Sequence, residues 1–234
     1  MIKNIYYENV NLQIDSVNLP GVFALPDLAA GLVIFAHGSG SSHQSPRNKL
    51  IADILNERGI GTLLFDLLTD EEGKIYENRF DIDLLTQRLL AATNWVIERQ
   101  KTEPLPIGYF GASTGAAAAL KAALTFGPNI SAIVSRGGRP DLLLPDELSR
   151  VKSPTLFIVG QLDREVLALN LKAFEQIGFK EKRLHIIPGA THLFEEPGTL
   201  EQVANVSADW LEEHLCHRKS KSTSQFTVSR DELD

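Results

Sequence analysis

Cysteine is nearly missing from this chain: Cys216 is the single one in 234 residues. No internal disulfide can form, and a reducing, cytoplasmic setting is expected. Long apolar runs are missing as well. None approaches the ~18 residues that a membrane span needs, so no membrane association is expected. The opening Met1-Ile2-Lys3-Asn4-Ile5-Tyr6-Tyr7-Glu8 has one cation and no uninterrupted apolar core, unlike a secretory signal. Positive charge is short: 23 Lys and Arg against 30 Asp and Glu leave a net charge of −7. Without a basic stripe to neutralise phosphates, nucleic acid is not expected as a partner. Arg230-Asp231-Glu232-Leu233-Asp234 resembles a retention signal of the endoplasmic reticulum only superficially, because Asp234 lies beyond the leucine. Internal repeats are lacking too.

What is present suits one α/β domain over residues 1–216, with 217–234 as a flexible polar tail. Hydrophobic content of 43% and charged content of 23% are ordinary for a globular chain. The first two dozen residues alternate weakly, and Asn18-Leu19-Pro20-Gly21 divides them into two antiparallel edge strands. Leu32–Ala36 is a continuous apolar run, as in a buried parallel strand. Ser45-Pro46 then opens a helix that Gly59 closes. Further strands are expected at 61–65, 107–110, 131–135, 155–160 and 183–187. Helices are expected at about 81–101, after Ser113, at 164–176, and from a Thr199/Gln202 capping box onward. This alternation implies a mostly parallel sheet with an antiparallel N-terminal edge and helices on both faces. The connection from Ser135 to Thr155 is too short for a lid domain, and residues 67–80 are the longest candidate wall over a site.

Gly111-Ala112-Ser113-Thr114-Gly115 lies between an apolar strand and a small-residue helix. A G-x-S-x-G turn in that context lifts its serine Oγ above the sheet, and glycines are needed where side chains would collide with neighbouring backbone. Two more groups follow later strands: Asp163 in Val159-Gly160-Gln161-Leu162-Asp163, and His192 in Gly189-Ala190-Thr191-His192. Open α/β sheets gather ligands at those strand ends. A serine hydroxyl needs a base during attack, imidazole suits that task, and a carboxylate fixes its tautomer. The developing oxyanion needs donors. His37-Gly38-Ser39-Gly40 follows the Leu32–Ala36 strand and offers the Ser39 amide, with Gly40 as the neighbouring alternative. The Thr114 amide at the start of the serine helix is the second donor.

The order Ser, Asp, His matches α/β-hydrolases and differs from the chymotrypsin and subtilisin orders. Through the Ser113 turn, the His37 loop, the Asp163 loop and Gly189–His192, the chain resembles an α/β-hydrolase of the dienelactone hydrolase-like branch, up to about Leu215. Ser45-Pro46-Arg47-Asn48 and Leu193-Phe194-Glu195-Glu196-Pro197-Gly198 are similar to the serine hydrolase often fused to or encoded beside phosphoribosyltransferases. The resemblance implies the α/β-hydrolase fold and a possible functional link to such a transferase. Dienelactone hydrolase proper uses a cysteine nucleophile, whereas position 113 is serine, which favours generic ester or acyl chemistry. The expected activity is hydrolysis of a small-molecule ester through an acyl-enzyme on Ser113, with no cofactor and no metal. Acyl transfer by the same triad is one alternative, and a non-catalytic binding module on this fold is the other.

Several residues admit two readings. Asp141 also follows a strand and competes with Asp163 as the acid; Glu165 is a weaker competitor. His185, His214 and His217 are poorly placed for catalysis. His37 is expected to bond backbone, and its pairing with His43 lacks the pattern of a metal site. Gly38-Ser39-Gly40-Ser41-Ser42 lacks the Gly-Lys-Ser/Thr ending of a P-loop. Arg47, Arg136 and Arg139 can bind a substrate carboxylate or phosphate, or pair with Asp141 or Glu147 to hold a loop. Cys216 reads as an incidental helix-end thiol, and Glu195-Glu196 as solvent-facing.

Overall fold

Asp15 and Ser16 turn the chain back on itself, with Asp15 at φ +53°. They join β1 (Ile5–Ile14) to β2 (Val17–Pro26) as an antiparallel hairpin. The break expected at Asn18–Gly21 is therefore not a loop; those residues lie inside β2. Pro20 is tolerated there because its carbonyl accepts from Asp66 N–H (3.0 Å), away from β1. Its missing N–H thus faces the other side and costs no bond in the hairpin ladder. The computed structural model describes residues 4–100 and 104–216; the tail expected at 217–234 lies outside the described residues.

The remaining strands are β3 (Leu32–Ala36), β4 (Gly61–Phe65), β5 (Ile107–Ala112), β6 (Ile130–Arg136), β7 (Thr155–Gly160) and β8 (Lys182–Ile187). They form one eight-stranded sheet in the order β1-β2-β4-β3-β5-β6-β7-β8. The pairs β1/β2 and β2/β4 are antiparallel and all others parallel. Every residue of β3 to β7 is buried, which explains their continuous apolar runs: both faces are covered.

Alternation divides the core in two. On one face Ile34 and Tyr109 pack with α3 (Ile82–Arg99), α4 (Thr114–Phe126) and α6 (Arg164–Gln176). On the other, Phe35 and Phe110 stack at 4.8 Å beneath α1 (Pro46–Glu57) and α7 (Thr199–Cys216). Each such fully buried side chain contributes about 1.5–3 kcal/mol. The Tyr109 hydroxyl, which burial keeps protonated, donates to Thr93 Oγ1 (2.8 Å), and Thr93 donates to the Leu89 carbonyl (2.7 Å). In α4 the buried Ala116–Ala119 run lets the helix lie close against the sheet.

Ser45 caps α1 by accepting from Asn48 N–H, with Pro46 at the first position. The capping box expected at α7 does not form. The Thr199 hydroxyl donates to the Glu196 carbonyl (2.7 Å), and Gln202 N–H bonds Gly198 (3.2 Å); the earlier turn supplies a competing acceptor. Two short helices were not expected, α2 (Asp70–Lys74) and α5 (Pro145–Ser149). The loops after β3, β5, β6, β7 and β8 all leave one edge of the parallel sheet, and the candidate site is built there.

Candidate active site

Ser113 stands between β5 and α4 at φ +51°, ψ −119°, a conformation costly for a residue with a side chain. Its neighbours hold it there. Ser113 N–H donates to the Arg136 carbonyl (3.1 Å), and its own carbonyl accepts from Ala116 and Arg139 N–H (both 3.1 Å). The flanking glycines are sterically required. A Cβ on Gly115 would stand 2.1 Å from the Ala36 oxygen, and one on Gly111 2.4 Å from Ala116 Cα. Gly38 is less tightly constrained, its Cβ falling 3.0 Å from Ser113 Cβ.

His192 and Asp163 meet at 2.6 Å, Nδ1 to Oδ2. A carboxylate can only accept, so Nδ1 carries the proton and Nε2 keeps a lone pair. The loop bearing His192 is braced from several sides. Leu162 N–H donates to Ala190 O (2.9 Å), and Gly189 N–H donates to Gln161 Oε1 (3.0 Å). Gly160 permits this approach, since its Cβ would fall 2.4 Å from Ala190 O. Phe194, fully buried at φ +56°, anchors the loop in the core. Glu196, expected to face solvent, instead accepts from the Thr191 amide (3.2 Å) and hydroxyl (2.6 Å) through Oε1. The Thr191 hydroxyl holds that carboxyl below its ordinary pKa. Glu195 does face solvent, and it pairs with Arg47 (3.1 Å).

Ser113 and His192 share the same rim without a hydrogen bond between them among the described residues. Gly137, which follows Arg136, abuts the imidazole: a Cβ there would be 3.4 Å from His192 Cε1. The two candidate acids are now distinguished by their partners. Asp141 takes both arms of Arg139, at 2.8 and 2.7 Å, whereas Asp163 takes His192. Bonding to Asp141 raises the Arg139 pKa. Of its two readings, Arg139 thus makes the loop-holding pair with Asp141. Glu165 lies exposed on α6.

Ser39 and Thr114 line one cavity of about 270 Å³. Among the described residues neither amide has an acceptor, and Thr114 N–H opens α4, where the helix dipole favours an anion. The outer wall comes from residues 67–80: Leu68, Thr69, Asp70, Lys74 and Arg79 face the cavity. Here α2 carries a full capping box, Thr69 with Glu72, whose T-x-x-E spacing is the sequence signal for it. Glu72 also pairs with the buried Arg88 of α3 (2.8 Å), fastening the wall to the domain.

His37 shapes the floor. Its Nε2 accepts from Leu67 N–H (3.0 Å), so Nδ1 carries the proton toward Gly38 O (3.0 Å). Burial lowers its pKa from the ordinary 6.5 and keeps the ring neutral. The unfolded chain therefore binds a proton more readily than the folded one below that value. The stabilisation is complete above pH 6.5 and is lost as pH falls through the depressed folded value. Urea titrations at pH 7.5 and 5.5 are expected to show wild type losing up to about 1.4 kcal/mol per pH unit within that window, and His37→Gln losing less. His43 anchors the same loop: its amide donates to Asp66 Oδ1 (2.6 Å), and its Nδ1 lies 2.9 Å from that oxygen. Among the described residues no group of three or more His, Cys, Asp or Glu side chains is arranged to hold a metal ion, and no helix is long and apolar enough to cross a membrane.

With this geometry in place, comparison with known proteins is informative. A family model described as an alpha/beta hydrolase domain matches residues 29–215. A dienelactone hydrolase from Anabaena variabilis is 48% identical, with a TM-score of 0.84 over 92% of this chain and 100% of that one. Est1E from Butyrivibrio proteoclasticus, 17% identical with a TM-score of 0.74 over 88% of this chain and 98% of its own, shares the fold. Two Mycobacterium tuberculosis proteins, each named putative phosphoribosyl transferase, are 52% identical over 209 residues, 89% of this chain and 47% of theirs. The chain thus spans about half the length of these curated relatives.

Proposed function

The chain belongs to the α/β-hydrolase family, in its dienelactone hydrolase-like branch, and from that premise we propose that it is a serine esterase acting on a small ester through an acyl-enzyme. The observation that carries this reading is the 2.6 Å Asp163–His192 pair on the rim beside the strained Ser113 turn. In the proposed cycle His192 Nε2 takes the Ser113 proton as Oγ adds to the acyl carbonyl. Asp163 holds the tautomer and stabilises the imidazolium. The Ser39 and Thr114 amides receive the oxyanion. His192 then protonates the leaving alcohol, and water repeats the sequence on the acyl-enzyme. In the proposed cycle a side-chain rotation of Ser113 or His192 forms the Oγ–Nε2 hydrogen bond.

A functional link to a phosphoribosyl transferase is also proposed. It rests on the name borne by relatives about twice as long as this chain.

The space available favours short acyl groups. Between Arg136 and Thr155 the chain holds only a single-turn helix at Pro140–Leu142 and α5, so no helical cap supplies a long apolar channel. Among the walls of the 270 Å³ cavity Ser39, Ser41, Ser42, Asp66 and Asp70 outnumber Leu68 and Leu85. In a 4-nitrophenyl ester series, kcat/KM is expected to be highest between acetate and hexanoate and to fall at least tenfold by dodecanoate. An optimum at long chains would contradict this account of the cavity.

A further inference from the structure

Arg136 is the last residue of β6, paired in register with Ala112, and its carbonyl receives the Ser113 N–H. Its side chain leaves the sheet on the face of α1 and α7 and ends 5.8 Å from the centroid of the Phe194 ring, two residues beyond His192. It is 8% exposed. Burial, with Arg47 adding a repelling charge, lowers its pKa to about 10, which leaves it charged at neutral pH.

Among the described residues no carboxylate or carbonyl accepts from this guanidinium, and its Nε is buried without a partner. The carboxylates Asp141, Asp163 and Glu195, on the chain segments that follow β6, β7 and β8, are committed elsewhere. Asp163 holds His192, Asp141 holds Arg139, and Glu195 holds Arg47. Glu196 turns Oε1 to Thr191, while its Oε2 has no hydrogen-bond partner, Arg136 included. A buried cation without a counterion is costly, and a structural arginine here would have been given one of these acids. An anion from outside the chain would supply that counterion.

We propose that Arg136, with Arg47 beside it, binds a negatively charged group of the substrate, so that the esters turned over here carry a free carboxylate or phosphate. This rests on the esterase reading of the same site. The planar guanidinium fork suits either oxyanion, and its place at the strand end next to Ser113 puts the recognised charge on the reacting molecule itself. Arg47 contributes a second positive charge and keeps an unpartnered buried Nε, although one of its arms is on Glu195.

The test compares mono-4-nitrophenyl succinate, glutarate and adipate with neutral 4-nitrophenyl butanoate, pentanoate and hexanoate. The best anionic ester is expected to exceed its neutral counterpart more than tenfold in kcat/KM. That ratio should fall to near one in Arg136→Met and persist in Arg150→Met, a control on an exposed side chain. If Arg136→Met does not fold, Arg136→Lys serves: a severalfold smaller ratio supports the proposal and an unchanged one overturns it. A wild-type ratio near one with brisk turnover of neutral esters overturns the inference and leaves the esterase reading standing. The second readout is independent of turnover. Succinate or inorganic phosphate should raise the melting temperature of Ser113→Ala protein, and the added change Arg136→Met should abolish the shift. The anion with the larger shift identifies the recognised group, and no shift from either overturns the proposal.

Discussion

Ser113→Ala is expected to lower kcat for 4-nitrophenyl acetate by roughly 10⁴- to 10⁶-fold, the range found when the nucleophile of a serine triad is removed. The loss is chemical rather than structural. Alanine, like serine, carries a Cβ and meets the same strain at φ +51°, and the backbone bonds to Arg136, Ala116 and Arg139 do not involve Oγ. Urea denaturation should therefore place the variant within about 1 kcal/mol of wild type. A variant that retains more than a few per cent of turnover while folding normally would move the nucleophile elsewhere.

Asp163→Asn is expected to cost about 10⁴-fold in kcat. Asn is nearly isosteric, but its amide nitrogen cannot accept from Nδ1–H. The imidazole is then free to take the other tautomer, which places a proton on Nε2 and removes the base. Asp141→Asn is the informative partner experiment. Asp141 follows a strand of the same sheet, and on sequence grounds it competes with the favoured Asp163. In the structure it is bound to Arg139 by two solvent-exposed bonds, so its loss should cost about 1 kcal/mol of stability or less and less than tenfold in kcat. The reverse ranking of the two variants in kcat would reassign the acid.

Much of this arrangement was legible in the sequence because backbone constraints write themselves locally. Gly111 and Gly115 are dictated by clashes with Ala116 and Ala36, so the turn around Ser113 could be read without knowing its surroundings. The buried strands announced themselves for the same kind of reason: β3 to β7 are covered on both faces and tolerate few polar residues. The hairpin turn was less legible. Pro20 is a strong breaker in sequence, and only the register shows that its missing N–H points away from β1. What the sequence could not supply was the choice of partner. Arg47 meets Glu195 across 148 positions, Asp141 turns to an arginine two residues away, and Arg136 receives no acid among the described residues. Those outcomes depend on which loops meet at the sheet edge, and they separate an arginine paired within its loop from one proposed to hold a ligand.

The central claim is that Ser113 is an activated nucleophile, and the most direct measurement is labelling by a fluorophosphonate followed by mass mapping of the modified peptide. The account predicts one adduct per chain, located on Ser113, and its disappearance in both Ser113→Ala and His192→Ala. Folded wild-type protein that takes up no label, or takes it up on a different residue, would contradict it.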